Sequence, residues 1–358
     1  MPSLKEIKGR INSISSTLAI TSAMKMVAAA KLQKAQMAIQ NMLPYERRLH
    51  SMLIDLMGAM NISAAASEDG SVRGSGSAER GFDQSSDRLS LSNRHDLAGM
   101  DGAYSLMAQR EVRKVAIVAF ASNSSLCGAF NSNVIREATA VINEYRASGL
   151  GDADITVYSV GRKMAEAMKK LGFPSPADFT KMSDSPSYDA ASALAQELLD
   201  GFVSGRFDKV ELVYNHYKST SSQPTIRQTY LPLSLADATA DLQAGKIADS
   251  ASESDTNRGA EPVGAPVVRQ GSPTTEDLIV EPSKEELIAT LLPKVVRLRV
   301  FTTLLDSTAA EQAARTVAMQ LATDNGNDLL QELTLEYNKG RQQKITSEIL
   351  DLVGGSMQ

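Results

Sequence analysis

Over the first sixty residues the apolar positions recur every three and four. With Leu4 at heptad position a, the a positions are Leu4, Ile11, Leu18, Lys25, Leu32, Ile39, Glu46, Leu53 and Met60. The d positions are Ile7, Ile14, Thr21, Ala28, Ala35, Met42, Leu49 and Leu56. All but Lys25, Glu46 and Thr21 are apolar. A stripe repeating every 3.5 residues stays on one side of a helix only if that helix supercoils around a partner. The pattern predicts a coiled-coil helix over residues 1–62, roughly 85 Å long at about 1.5 Å per residue. That is too long to lie across one globular domain, so a second long helix is required. Ser3 and Glu6 predict a capping box at the start, and Pro44 predicts a kink.

The other end of the chain supplies the partner. Residues 282–358 open with Ser283-Lys284-Glu285-Glu286 after Pro282, a second capping-box pattern. Apolar spacings of three and four recur at Leu298, Phe301 and Leu305, at Ala310, Ala314, Val317 and Leu321, at Leu330, Leu333 and Tyr337, and at Ile345, Ile349 and Leu352. The register drifts between these blocks. Pro293 predicts a kink near the start, and Gly354-Gly355 predicts the end. Gly326 and Gly340 each cost about 1 kcal/mol relative to Ala in a helix, so packing from outside must favour it.

Between the helices the period changes. Val112–Phe120, Ile155–Val160 and Val210–Tyr214 are short apolar runs typical of strands covered on both faces. Thr225–Leu231 reads as a fourth strand after a polar turn. Phe130–Tyr145, Gly161–Leu171 and Tyr188–Val203 read as helices. Strands alternating with helices predict a parallel, right-handed βαβ sheet, a Rossmann-like α/β domain over residues 112–233. Residues 63–111 and 234–281 are rich in Ser, Gly, Asp and Ala without a sustained period and read as low-complexity insertions. Leu97–Leu106 could form a helical turn or two.

Composition narrows the class. The formal net charge of -5 argues against general nucleic-acid binding. The single cysteine, Cys127, rules out an internal disulfide and suits a reducing compartment. No run approaches the roughly eighteen apolar residues of a membrane span. Up to Tyr45 the only acid is Glu6, against Lys5, Lys8, Arg10, Lys25, Lys31 and Lys34. Basic and amphipathic is also the description of an organelle transit peptide, but such a peptide has no reason to hold one heptad register for so long.

Candidate chemistry is sparse. The nucleotide, zinc and nucleophile-elbow motifs are absent, and His50, His95 and His216 lack metal-ligand spacing. A Rossmann phosphate loop would follow the first strand, where only Gly128 stands in Ser122–Gly128. That turn is expected to pack, with Cys127 as a small buried side chain. No catalytic residue, cofactor or metal site is expected. Thr21 and Lys25 either fix the register of the seam or mark where it opens to an outside partner. The second helix outruns the first, so its end is unpaired within the hairpin, yet it carries Ile345, Ile349, Leu350, Leu352 and Val353. An apolar tip of this kind marks a binding surface. Two classes fit these residues: a mechanical subunit built on a helical hairpin, or a small nucleotide-dependent enzyme with a coiled-coil arm. The missing phosphate-binding glycines favour the first.

Three long segments carry a resemblance. LKEIKGRINSISSTLAITSAMKMVAAAKLQKAQ at the start, SLCGAFNSNV after the first strand and EQAARTVAMQLATDNGNDLLQELTLEYNKGRQQKITSEILDLVGG at the end resemble the gamma subunit of F-type ATP synthase, as does EPSKEELIATLLPKVV. The resemblance covers all but the two insertions. It implies an antiparallel, left-handed two-helix shaft turning inside a hexameric ring of alpha and beta subunits. It also implies an α/β foot on the membrane c-ring beside the epsilon subunit, a non-catalytic rotor role coupled to proton flow, and a peripheral place on the cytoplasmic face of the bacterial cell membrane. By position, Met24 and Lys25 would meet the beta lever loop, and Gln312 and Arg315 the catch loops of the ring. Gln342, Thr346 and Glu348 would make upper contacts, with Ile349, Leu352 and Val353 in the upper bearing. The loop before LCGAFN reads Asn-Ser-Ser, where the family usually has an acid and a basic residue with glycine. Neither insertion holds a cysteine, so the thiol switch of plant relatives is excluded.

Overall fold

The computed structural model describes residues 3–59, 106–233 and 284–356. Most of the first insertion, all of the second, the Leu97–Leu106 turn up to residue 105 and the Ser283 cap lie outside the described residues. In order, the elements are α1 (Leu4–Ala59), β1 (Val115–Phe120), α2 (Phe130–Ala147), β2 (Ile155–Val160), α3 (Arg162–Lys170), α4 (Thr180–Asp184), α5 (Tyr188–Val203), β3 (Lys209–Asn215), β4 (Thr225–Leu231) and α6 (Lys284–Ser356).

The two terminal helices, of 56 and 73 residues, run side by side in opposite directions. As α1 advances, its contacts on α6 retreat. A Cβ on Gly340 would meet Leu4, one on Gly326 would meet Leu18, and Leu32 and Ala35 pack on Ala309 and Ala313. The heptad reading is visible as burial: Ile7, Ala28, Leu32, Ala35, Leu49, Leu53 and Leu56 are all buried. Two of the polar seam residues meet polar mates across the seam. The Thr323 hydroxyl donates to Thr21 at 3.2 Å, and the Thr302 hydroxyl donates to Glu46 at 3.1 Å.

Three local details refine the sequence reading. Only half of the first capping box forms: Ser3 Oγ accepts from the Glu6 N–H at 3.2 Å, while the Glu6 carboxylate turns to Arg10 at 2.8 Å. Helix α1 continues through Pro44, whose missing N–H deprives the Gln40 carbonyl of a partner; Gln40 is exposed, so water can reach it. Helix α6 runs on past Gly354-Gly355 to Ser356. Glycine lowers helix propensity but stops a helix only where the chain turns left-handed.

The sheet has the order β2-β1-β3-β4. Strand β1 pairs parallel with β2 and with β3, and β4 adds antiparallel to β3. The short link from Asn215 to Thr225 explains the last pairing, because a parallel return needs a crossover of a dozen residues or more. Every residue of β1 is buried, as a central strand with both faces covered requires. Alternation sends Val115, Ile117 and Ala119 to the face packed by α2 and α3, and Ala116, Val118 and Phe120 to the other. That second face packs against α5 and also against the base of the hairpin. Leu49 and Leu53 of α1 and Leu292, Val296 and Val300 of α6 share one cluster with Leu194, Leu198 and Phe202 of α5. Each such side chain contributes about 1.5–3 kcal/mol on burial. The shaft is therefore rooted in the core of the α/β unit.

Candidate functional site

The crevice where a doubly wound sheet binds a ligand lies at the carboxyl ends of the strands, where the chain order reverses. Here that point falls between β1 and β3, and a helix fills it. Cys127, from the turn after β1, and Phe130, the first residue of α2, pack on Ala310 of α6, with Tyr217 and Ala314 beside them. Asn215, at the end of β3, donates to the Phe130 carbonyl at 3.1 Å. The turn is tightly wound: Leu126 and Gly128 both have positive φ, and a Cβ on Gly128 would stand 3.8 Å from Ala318. Ser122 and Asn131 exchange hydrogen bonds across it, and Cys127 is buried beside Asn131 at 3.2 Å.

Backbone donors that a phosphate would use are occupied as well. At the start of α3 the Arg162 N–H bonds Asn123 Oδ1 at 2.8 Å and the Lys163 N–H bonds the Ser122 carbonyl at 3.1 Å. Among the described residues no cluster of His, Cys, Asp or Glu is arranged to hold a metal ion. The arrangement seats a shaft where related folds seat a nucleotide.

Arg315 locks that seat. Its guanidinium donates to the Ser125 carbonyl at 2.6 Å, to Ser124 Oγ at 2.9 Å and to Glu311 at 2.7 Å. Burial pushes the Glu311 carboxyl up, and Arg315 acts in the opposite direction. Gln312 and Arg315, expected at the catch loops of a ring, are 7 and 8 % exposed, and the guanidinium is spent on this chain's own turn. Ser124 and Ser125 of that turn supply the oxygens that Arg315 bonds there. Separations of 190 residues or more hid this clasp from any local pattern.

The remaining expected contact residues face outward to varying degrees. Met24 and Lys25 are half-buried, between the exposed side chains of Met26 and Val27 and the seam. Lys25 has no polar mate shown across the seam, unlike Thr21 and Glu46. Gln342, Thr346 and Glu348 are exposed. Thr346 donates to the Gln342 carbonyl at 2.9 Å, and Glu348 stands 3.7 Å from Lys344. Ile349, Leu352 and Val353 are 54, 74 and 52 % exposed. All lie beyond Gly340, the residue that faces Leu4 at the start of α1. About 24 Å of α6 thus projects past the hairpin.

Sequence reasoning missed two polar knots. Glu211, buried in β3, accepts from Tyr145 at 2.6 Å and Arg227 at 2.7 Å and pairs with Lys209 at 2.7 Å. Burial pushes its carboxyl up, but these bonds outweigh burial and hold it below the usual carboxylate range. His216 and Tyr217 meet Asp306 of α6, with His216 Nδ1 and Asp306 Oδ2 2.6 Å apart. An acid inside an apolar strand was the only local signal for the first, and nothing local signalled the second.

Comparison with known proteins agrees with this architecture. The family model described as ATP synthase matches residues 3–357. The ATP synthase gamma chain of Phocaeicola vulgatus is 46% identical over 357 residues, spanning 100% of both chains. That of Bacteroides thetaiotaomicron is 45% identical over 358 residues, again across 100% of both. A chain in a mitochondrial ATP synthase structure from Euglena gracilis that includes the c-ring shares the fold at a TM-score of 0.52 and 19% identity, covering 99% of this chain and 93% of that one. No described helix is long and apolar enough to cross a membrane. A match over the whole length at this identity, together with a hairpin of terminal helices rooted in an α/β unit, places the chain in the ATP synthase gamma chain family.

Proposed function

We propose that the chain is the central-stalk rotor of a proton-translocating F-type ATP synthase. The observation that carries this reading is the end of α6. Past Gly340 no described helix lies beside it, yet it presents Ile345, Ile349, Leu350, Leu352 and Val353 to solvent. A bare apolar tip is unfavourable in water and calls for a sleeve of other subunits. In the proposed assembly that sleeve is the hexameric ring of alpha and beta subunits. The half-covered face around Met24 and Lys25 meets the beta subunits lower down. Contacts of this kind must slide, so exposed polar groups such as Gln342, Thr346 and Glu348 suit them better than buried ion pairs.

The α/β unit then sits on the membrane c-ring beside the epsilon subunit, and the protein is peripheral on the cytoplasmic face of the bacterial cell membrane. Torque enters the shaft through the apolar cluster at its base and through the Arg315 clasp. The turning shaft drives the catalytic beta subunits through their states in sequence, while this chain contributes no catalytic group. The plugged crevice at β1 and β3 supports that division of labour. Co-expression with the alpha and beta subunits tests the reading. An ATP-hydrolysing ring that co-purifies with this chain, and that is lost when the chain is omitted, is the expected result. A ring that forms and works equally well without it contradicts the proposal.

A further inference from the structure

Between the foot and the shaft lies a joint that the apolar cluster does not account for. The loop after β3 reaches α6 at Asp306, whose carboxylate takes two bonds from it. Asp306 Oδ1 accepts from the Tyr217 N–H at 2.8 Å, and Asp306 Oδ2 faces His216 Nδ1 at 2.6 Å. The same loop reaches α1, where Gln36 Nε2 donates to the Tyr217 hydroxyl at 2.6 Å. Sheet, first helix and second helix are thus tied at a single point. Asp306 lies about one turn below Ala309 and Ala310, where α6 packs on both α1 and the turn after β1.

We infer that the His216–Asp306 pair is a positioning key that fixes the foot to the shaft, and that the key engages when His216 is protonated. The inference rests on the rotor reading above. A protonated imidazole donates through Nδ1 and carries the charge that makes its bond to a carboxylate strong. A neutral imidazole keeps only a weaker bond or, in its other tautomer, none.

The surroundings favour the charged form. Asp306 raises the His216 pKa above its ordinary value by hydrogen bonding and charge, against partial burial and the neighbouring Lys218. The cleft around His216 is also lined by Glu46, Arg47 and His50 from α1, Arg299 from α6, and Tyr214 from β3, while β4 contributes the uncharged Ile226 and Gln228. Because the folded value is raised, the contribution of the key is complete at acid pH. It is lost as pH rises through the raised value.

The test uses the assembled complex in sealed vesicles and reads protons pumped per ATP hydrolysed from about pH 6 to about pH 9, bracketing the imidazole range. Asp306→Asn should lower that ratio about twofold or more near neutrality, the least expected when a charge-assisted bond is removed from a closed–open equilibrium. Its ATP hydrolysis should persist. His216→Lys, whose charge does not titrate in this range, should keep the ratio at the alkaline end, where the natural chain loses it. A merely structural role would lower hydrolysis and pumping together and leave the pH profile unshifted. An Asp306→Asn complex with the natural ratio and profile would overturn the inference. Failure of the complex to assemble around the natural chain would instead count against the rotor reading itself.

Discussion

Gly161 carries the chain from β2 into α3 at φ +97, and a Cβ there would stand 2.0 Å from the Ala121 carbonyl oxygen. Backbone cannot yield as a side-chain tip can. Gly161→Ala should therefore destabilise the α/β unit by about 3 kcal/mol or more, read as a lower thermal midpoint. Glu211 makes a different kind of demand. Its charge is buried among Arg227, Lys209 and Tyr145, so Glu211→Gln leaves cations without their acid and should cost about 3 kcal/mol. Its folded pKa is depressed, so its contribution is full above the usual carboxylate range and fades as pH falls through the depressed value. Acid titration followed by circular dichroism should show the natural chain losing stability there and the Gln variant losing less. Neither residue announced its role. A glycine after a strand and a glutamate within one are common, and the groups that make them matter come from Ala121, Tyr145 and Arg227.

At the scale of elements, the helices and strands were legible because their periods are local. The heptad from Leu4 foretold α1, and the bounds of β2, β4 and α5 match the segments expected from the sequence residue for residue. The short helix α4 was not foreseen, since Thr180–Asp184 is too brief to show a period. Register across the hairpin was only half legible. The seam showed that α1 needs a partner, but the drift in α6 hid which residues meet. The structure pairs Thr21 with Thr323 and sets Leu18 over Gly326, where a side chain on the glycine would crowd it. A Thr21→Cys, Thr323→Cys chain should therefore form a disulfide under mild oxidation in most molecules, detected as a mobility shift on non-reducing gels. The natural Cys127 is buried and should not compete. A one-turn change of register would leave the pair unlinked.

For the whole molecule, burial is graded along the shaft. Near the base Leu49, Leu53 and Leu56 are all buried, whereas toward the other end Ile7 is buried but Leu4, Ile11, Ile14 and Leu18 are only half-covered. Among the described residues no element accompanies the tip of α6 beyond Leu4. Under the proposed function, this less covered end is the one that the alpha–beta ring sheathes. What was legible at the tip is the apolar run itself, which passes the start of α1 and is exposed among the described residues. At Arg315 the sequence did not show that the guanidinium is taken up by the turn after β1, because that turn lies 190 residues or more away. Ile349→Asp with Leu352→Asp should leave the thermal midpoint of the chain unchanged and weaken its retention in the alpha–beta ring at least about tenfold, or about 1.4 kcal/mol. Co-elution on gel filtration at falling concentration measures it.

The most direct measurement is of motion. With the alpha–beta ring fixed to a surface and a bead attached through Lys169→Cys on the exposed end of α3, ATP should drive the bead in one direction in regular steps. A bead that stays still or only jitters while the same complexes hydrolyse ATP would contradict the assignment of this chain as the rotor.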